Sequence, residues 1–283
     1  MEIISNYLTT GFKSLDETIR GWITPSLNVV ASRPSMGKTS FILSMVRKIA
    51  IDQNIPSVLI STEMSGTALT KRLIANICNI TGEALLTGRL TRDEWDYYRQ
   101  QSSVISACPL YIFDTSYLTL GQVRMEITRL VRLKGVKIVF FDRLDNINTE
   151  KGEYERVVIS KVCKELRKIA EQLGIAIVGT VPLVRGKNDW NPGYKDFLNP
   201  VSEEDVSRVL FLYRPDVDRD EWKEFSHNGN LHNNVLVRVS RPMERNTDLV
   251  LKFTPEYHRF EDFDNEHEKK QFINTLNMKT DLL

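Results

Sequence analysis

The sequence predicts an α/β fold, a doubly wound and mainly parallel sheet that ends in a C-terminal antiparallel hairpin. Three observations lead there: apolar runs that alternate with amphipathic stretches, a strand–loop–helix junction with a phosphate-binding pattern, and two late runs flanking a polar turn. Five runs, at 27–31, 57–61, 110–113, 137–141 and 175–181, are nearly continuous in Val, Ile, Leu and Phe, as strands buried on both faces must be. Between them, 119–133 and 154–173 carry apolar residues at helical spacing. Repeated strand, helix and strand implies crossovers, and hence a parallel sheet with helices on both faces. A sixth run at 208–213 precedes 235–240 and 249–253, which flank 241–248 as the arms of a hairpin.

The junction is the most informative element. Ser32-Arg33-Pro34-Ser35-Met36-Gly37-Lys38-Thr39 lies between the first apolar run and a stretch of helical periodicity opening at Ser40. A strand, a tight loop and a helix beginning with Gly-Lys-Thr form the setting in which a P-loop works. Backbone N–H groups at a helix N-terminus converge on an anion, a lysine reaches the β- and γ-phosphates, and a hydroxyl holds Mg²⁺. Residues 32–40 are therefore the expected ATP-binding segment, with Lys38 as the cation and Thr39 as a metal ligand. Ser32 stands where such loops usually have their first glycine.

Hydrolysis also needs a carboxylate near the metal and a base that positions water. Asp142 ends the most hydrophobic run, at the strand edge where α/β sheets bind ligands. It is the candidate for holding Mg²⁺, with Asp145 the lesser option and a turn-capping role the alternative. Glu63 follows the 57–61 run. It could accept a proton from water or sit as an acid near the helix start at Ser65, and both readings stay open.

Size and charge narrow the classes. A chain of 283 residues with 41% hydrophobic residues can bury a large single core. Its net charge of +1 excludes a global field for nucleic acid, so DNA must be met by a local patch. The long 183–205 segment offers one, with Arg185, Lys187 and Lys195 among Trp190, Tyr194 and Phe197. Residues 214–234 read as a surface excursion. Cys78, Cys108 and Cys163 lack ligand spacing and read as small buried hydrophobes in a reducing cytoplasm. Neither a signal peptide nor a membrane span is expected. The body is expected over 1–263, with 264–283 an appended helix or tail.

The motif residues resemble a known family. Arg33-Pro34-Ser35-Met36-Gly37-Lys38-Thr39 is similar to the Arg-Pro-Ser-Met-Gly-Lys-Thr loop of the DnaB-family replicative helicases, which often lack the first glycine. Thr10-Gly11-Phe12-Lys13-Ser14-Leu15-Asp16 resembles the lead-in of that family's RecA-like domain. Glu63-Met64 resembles its Leu-Glu-Met, Asp142-Arg143-Leu144 its Asp-Tyr-Leu, and Glu203-Glu204-Asp205 with Tyr213-Arg214 its later segments. The resemblance implies a RecA-like ATPase, Glu63 as catalytic base, and a ring, hexameric in family terms, with ATP at subunit interfaces. It also implies single-stranded DNA as partner, a helicase loader as a further one, and Arg241 as an arginine finger. Two departures stand out. The family's γ-phosphate-sensing glutamine is replaced by Pro182, and its Lys-Gln-Arg reads Val239-Ser240-Arg241. With no room for the primase-binding domain or linker helix before Leu8, the expectation is a motor domain alone; the alternative is a nucleotide-binding regulator or loader that pairs with a full-length helicase.

Overall fold

The computed structural model describes residues 6–148, 159–184, 192–198, 201–218, 233–241, 246–263, 269–270 and 272–274. Nine strands form one sheet. In chain order they are β1 (Ser26–Ser32), β2 (Ser57–Ser61), β3 (Leu110–Asp114), β4 (Ile138–Asp142), β5 (Ala176–Pro182), β6 (Arg208–Tyr213), β7 (Asn234–Ser240), β8 (Thr247–Thr254) and β9 (Arg259–Asp262). Their spatial order is β9-β8-β7-β6-β1-β5-β4-β2-β3. From β6 to β3 every pairing is parallel. From β6 to β9 every pairing is antiparallel. The expected hairpin is therefore present, with β9 added beyond it.

Alternation along each central strand divides the core into two layers. Val30, Ile138 and Phe140 face one layer, with α1 (Lys13–Ile19), α2 (Lys38–Val46) and α3 (Gly66–Cys78). Val29, Val139 and Phe141 face the other, with α6 (Leu120–Lys134) and α7 (Ile159–Leu173), whose Val123, Ile127, Val162 and Leu166 are buried. Two further helices, α4 (Gly82–Thr87) and α5 (Arg92–Ala107), precede the edge strand β3. β3 departs from expectation. Its residues are half-buried because it has a partner on one side only, so an apolar run did not mark burial on both faces.

The antiparallel extension braces the helix that follows the phosphate-binding loop. Phe41 of α2 stacks on Phe12 with ring centroids 5.3 Å apart and meets Phe260 of β9 edge-on at the same separation. Phe260 in turn lies 4.5 Å from Phe253 of β8, and its N–H donates to Ser44 Oγ at 2.9 Å. Deleting one such buried ring typically costs ~3–5 kcal/mol. At the start of α1, the N–H groups of Lys13 and Ser14 donate to the Asp262 carboxylate at 2.9 and 2.8 Å. Asp262 thus caps a helix whose own N-cap, Phe12, has no acceptor side chain.

Phe272 is buried against Tyr213, Leu236 and Val250. Cys78 and Cys163 are buried as expected, whereas Cys108 is only half-buried; all three are free thiols. Burial pushes the Cys163 thiol up to about 12. No described helix is long and apolar enough to cross a membrane.

Candidate nucleotide-binding site

β1 carries the chain to Ser32, and the loop then turns into α2. Two residues make that turn. Ser35 has φ 64° and Gly37, the α2 N-cap, has φ 93°, a region that glycine enters without steric cost. A Cβ on Gly37 would also come within 3.1 Å of the Phe260 ring. Position 32 tolerates serine because it is still within the extended strand, paired with Pro182.

Lys38 folds back over the loop. Its ammonium donates to the Ser32 carbonyl at 2.9 Å, the Arg33 carbonyl at 3.2 Å and Ser32 Oγ at 3.3 Å. Burial first, and then the neighbouring Arg143 guanidinium, bring its pKa down to about 8 against the opposing pull of Asp142, Glu63 and Asp145. Met36 is buried and accepts from the Arg214 N–H. Arg33, expected in the nucleotide-binding segment, is also buried and does not line the cleft.

Asp142 reaches the same point from β4. It is 1% exposed. Thr39 Oγ1 donates to its Oδ2 at 2.8 Å and Thr180 Oγ1 of β5 donates to its Oδ1 at 2.8 Å. Two adjacent parallel strands and the first turn of α2 therefore converge on one buried carboxylate. Asp145, the lesser option, is occupied otherwise: its two oxygens hold Arg143 Nε at 3.0 Å and Nη2 at 2.6 Å. Glu63 stands on the wall of the cleft with a half-exposed side chain, 3.6 Å from Arg143 Nη1. Ser65 is the N-cap of α3 and accepts from the Ala68 N–H, so the helix starts where the sequence places it and Glu63, two residues before the cap, lies beside both the cleft and the helix start.

Lys38, Thr39 and Glu63 line a cleft of about 460 Å³ with Pro34, Ser35, Gly37, Ser40, Pro182 and Phe253, and the buried Asp142 lies behind Thr39. The sequence reading missed Arg72, Arg143 and His258, which also line it. Burial and then Arg72 lower the His258 pKa. Arg143 was within reach, since it follows Asp142 directly. Arg72 and His258 come from distant elements and carry no local signal.

Arg241 is not in this cleft. It follows β7, which runs against β6, so it lies at the N-terminal ends of the parallel strands. Ser240 pairs with Val209 and Val209 with Val29, three residues before the end of β1. At ~3.3 Å per residue that is about 10 Å along the strand, before the lateral separation is added. There Arg241 Nη2 donates to the Thr18 carbonyl at 2.9 Å. It shares a separate, polar depression with Arg20, Glu17 and Arg208.

The expected DNA patch is only partly described. Arg185, Lys187 and Trp190 lie outside the described residues, and Lys195 lies in a short turn at Tyr194–Asp196. The aromatics are a correction. Phe197 is buried and Tyr194 packs against it and Phe211, so these rings anchor the segment to the core instead of facing a ligand. The Val184 N–H donates to the Asp196 carbonyl at 2.9 Å, and Leu183 bridges Phe197. The segment leaves β5 and returns beside it at the same sheet edge as the cleft.

A nine-stranded sheet wound in this order, with Lys38, Thr39 and Asp142 at its parallel-strand edge, defines a P-loop nucleotide-binding protein of RecA-like fold. The sequence model of the DnaB-like helicase C terminal domain matches residues 7–262, and the chain belongs to that family. It is 27% identical over 273 residues to the replicative DNA helicase DnaB of Geobacillus stearothermophilus, covering 93% of this chain and 58% of that protein. To the Helicobacter pylori (strain ATCC 700392 / 26695) replicative DNA helicase DnaB it is 32% identical over 213 residues, 73% of this chain and 43% of that one. The chain thus spans about half the length of these relatives. Among solved structures, a DnaB-like replicative helicase described with its interactions with primase superposes with TM-score 0.82 at 24% identity, over 93% of this chain and 65% of that one. A second solved structure, of an ATPase domain alone, gives 0.81 at 24% identity, over 93% and 94%.

Proposed function

We propose that this chain is the ATP-hydrolysing motor domain of a DnaB-type helicase, moving on single-stranded DNA during replication. The observation that carries the reading is the meeting of Thr39 and Asp142 at 2.8 Å, 103 residues apart in sequence, with Thr39 lining the same cleft as Lys38. An oxygen-only donor set of a carboxylate and hydroxyls suits Mg²⁺. Among the described residues, no cluster of three or more His, Cys, Asp or Glu could hold a metal alone, which agrees with an ion that arrives with the nucleotide. Thr39 would ligate Mg²⁺ directly and Asp142 would do so through water. Bound there, Mg²⁺ would neutralise charge on the β- and γ-phosphate oxygens.

The chain's own groups divide the remaining work. Backbone N–H groups of residues 35–39, at the N-terminus of α2, receive phosphate oxygens. Lys38 exchanges its carbonyl partners for the phosphates and offsets charge that develops on them. Glu63 accepts a proton from the attacking water. Arg241, turned away from its own cleft, serves the cleft of a neighbouring copy, which is why a ring, most simply a hexamer, completes the site. The 183–200 segment, with Arg185, Lys187 and Lys195, tracks the DNA backbone from the sheet edge that holds the nucleotide. The body spans 1–263, and the 264–283 appendage docks through Phe272. A helicase loader and a cytoplasmic setting accompany this role.

A second reading is favoured by Pro182, which lines the cleft without a side-chain amide or N–H donor. It makes the chain a nucleotide-binding regulator of a full-length helicase. Measuring ATP hydrolysis with and without single-stranded DNA separates the two. Turnover that rises with DNA supports the motor; tight nucleotide binding without turnover in any mixture supports the regulator.

A further inference from the structure

Arg143 stands where the family motif has tyrosine, and its surroundings are unusual for an incidental surface arginine. Its backbone is fixed, because its N–H donates to Thr62 Oγ1 at 3.2 Å and its carbonyl accepts from the same hydroxyl at 3.2 Å. Its side chain is asymmetric in its grip. One edge, Nε and Nη2, forms a two-point contact with Asp145 at 3.0 and 2.6 Å. The remaining nitrogen, Nη1, faces Glu63 at 3.6 Å, beyond a direct hydrogen bond. The Asp145 contact holds the guanidinium in place, and the Glu63 contact is long and half-exposed, suited to exchange.

The partner for that exchange follows from the cleft. Lys38, Arg143 and Pro182 line it together, and the proline leaves its position without a donor. A terminal phosphate brings more charge than a carboxylate and several oxygens in the geometry a guanidinium favours. We propose that Arg143 is this chain's terminal-phosphate sensor: Nη1 leaves Glu63 for the γ-phosphate of ATP, and Glu63 is thereby released to position water. A nucleoside diphosphate leaves the Arg143–Glu63 pair closed. Arg143 is then a specificity-determining residue toward the nucleotide and a positioning residue toward Glu63. The inference rests on the reading of the cleft as an ATP site.

Binding measurements test it without turnover. Dissociation constants for ADP and for a β,γ-imido ATP analogue, with Mg²⁺, are obtained by displacing a fluorescent nucleotide. In Arg143→Gln the preference for the triphosphate analogue over ADP should fall roughly tenfold or more, the usual worth of a hydrogen bond to a charged group, while ADP affinity changes little. Arg143→Lys should retain part of the preference, and it also serves if Arg143→Gln melts early. Glu63→Gln should tighten binding of the analogue in the otherwise native protein and have no such effect in Arg143→Gln. An unaltered preference in a folded Arg143 variant, or equal weakening of both nucleotides, would overturn the proposal. Lys38→Ala separates the two levels. If it weakens both nucleotides while Arg143→Gln leaves the preference intact, the cleft stands and the sensor falls; if Lys38→Ala binds both as native protein does, the cleft itself is misassigned.

Discussion

The two ends of the parallel strands are built differently. At the C-terminal ends, β1, β4 and β5 close on Ser32, Asp142 and Pro182. Ser32 accepts from Lys38, hydroxyls from Thr39 and Thr180 hold an Asp142 carboxylate that is 1% exposed, and Pro182 lines the cleft with Lys38 and Thr39. At the N-terminal ends, Arg241 rests on the Thr18 carbonyl in an open polar depression with Glu17 and Arg20. One edge is cross-connected by three strands and preorganised; the other presents an arginine that lies outside its own nucleotide cleft. The difference teaches that burial and strand register fix a group within a chain, and that a residue proposed to serve another copy has to be sought away from the buried edge.

The largest test of this contrast is Lys38→Ala, which should abolish hydrolysis while leaving the thermal transition near that of the native protein. Native-like turnover in the purified variant would mean that the phosphates bind elsewhere. Next is Arg241→Ala. A well-placed arginine finger contributes ~10³–10⁵ in rate, so turnover should collapse in assembled protein. Mixing Arg241→Ala with Glu63→Gln should restore part of it, because one interface in the mixture then has both intact groups. No recovery in confirmed mixed assemblies means that Arg241 only secures its own strand.

Glu63→Gln should bind Mg²⁺ and ATP but hydrolyse at least ~10²-fold more slowly, the contribution of a positioned base. A defect in Asp142→Asn with none in Glu63→Gln would reverse the assigned roles.

The fourth test uses Lys38 titration. Its pKa of about 8 without nucleotide should rise when an anion binds beside it. Between those two values binding takes up a proton, so nucleotide affinity should fall by up to about tenfold per pH unit above pH 8. Lys38→Arg should lack that slope in calorimetric titrations. The sign for folding is opposite. The unfolded lysine keeps its proton to about 10.5, so between about 8 and 10.5 the unfolded state binds more protons and this group alone makes the free protein more stable as pH rises.

The smallest effect concerns DNA. If Arg185, Lys187 and Lys195 each neutralise one phosphate of a single strand, the salt slope should be about −2 per protomer. Alanine at all three should flatten it. An unchanged slope would move the path elsewhere, although on α7 Arg167 and Lys168 already pair with Glu171 and Glu165 at 2.9 and 2.6 Å.

Legibility followed locality. The P-loop, Asp142 and the parallel core were readable because strand, turn and helix signals sit next to one another in sequence. Glu63 could be located but not assigned, since its place between a strand end and the start of α3 suits a base and a helix-end acid alike, and the structure keeps it beside both. β9 was missed because its four residues, Arg259–Asp262, are mostly charged, with Phe260 the one apolar side chain, and gain their place from pairing with β8. Tyr194 and Phe197 misled in the other direction. Aromatics amid glycine, proline and lysine look like a ligand surface, but pairing between Leu183 and Phe197 turns them into the core.

The cap that Asp262 provides to α1, together with the seat that Phe260 provides to Phe41, has a consequence for folding order. Residues 12–41 complete their packing only with partners more than 200 positions later. Loop closure of that span must come before those contacts can stabilise anything. As the chain emerges from the ribosome, the parallel half can collapse early, but the nucleotide loop lacks its brace until β9 has been made. A nascent chain halted before residue 260 would therefore hold every residue of the Gly-Lys-Thr turn and still be a poor nucleotide binder, a delay that leaves the cleft unbraced until synthesis has passed β9.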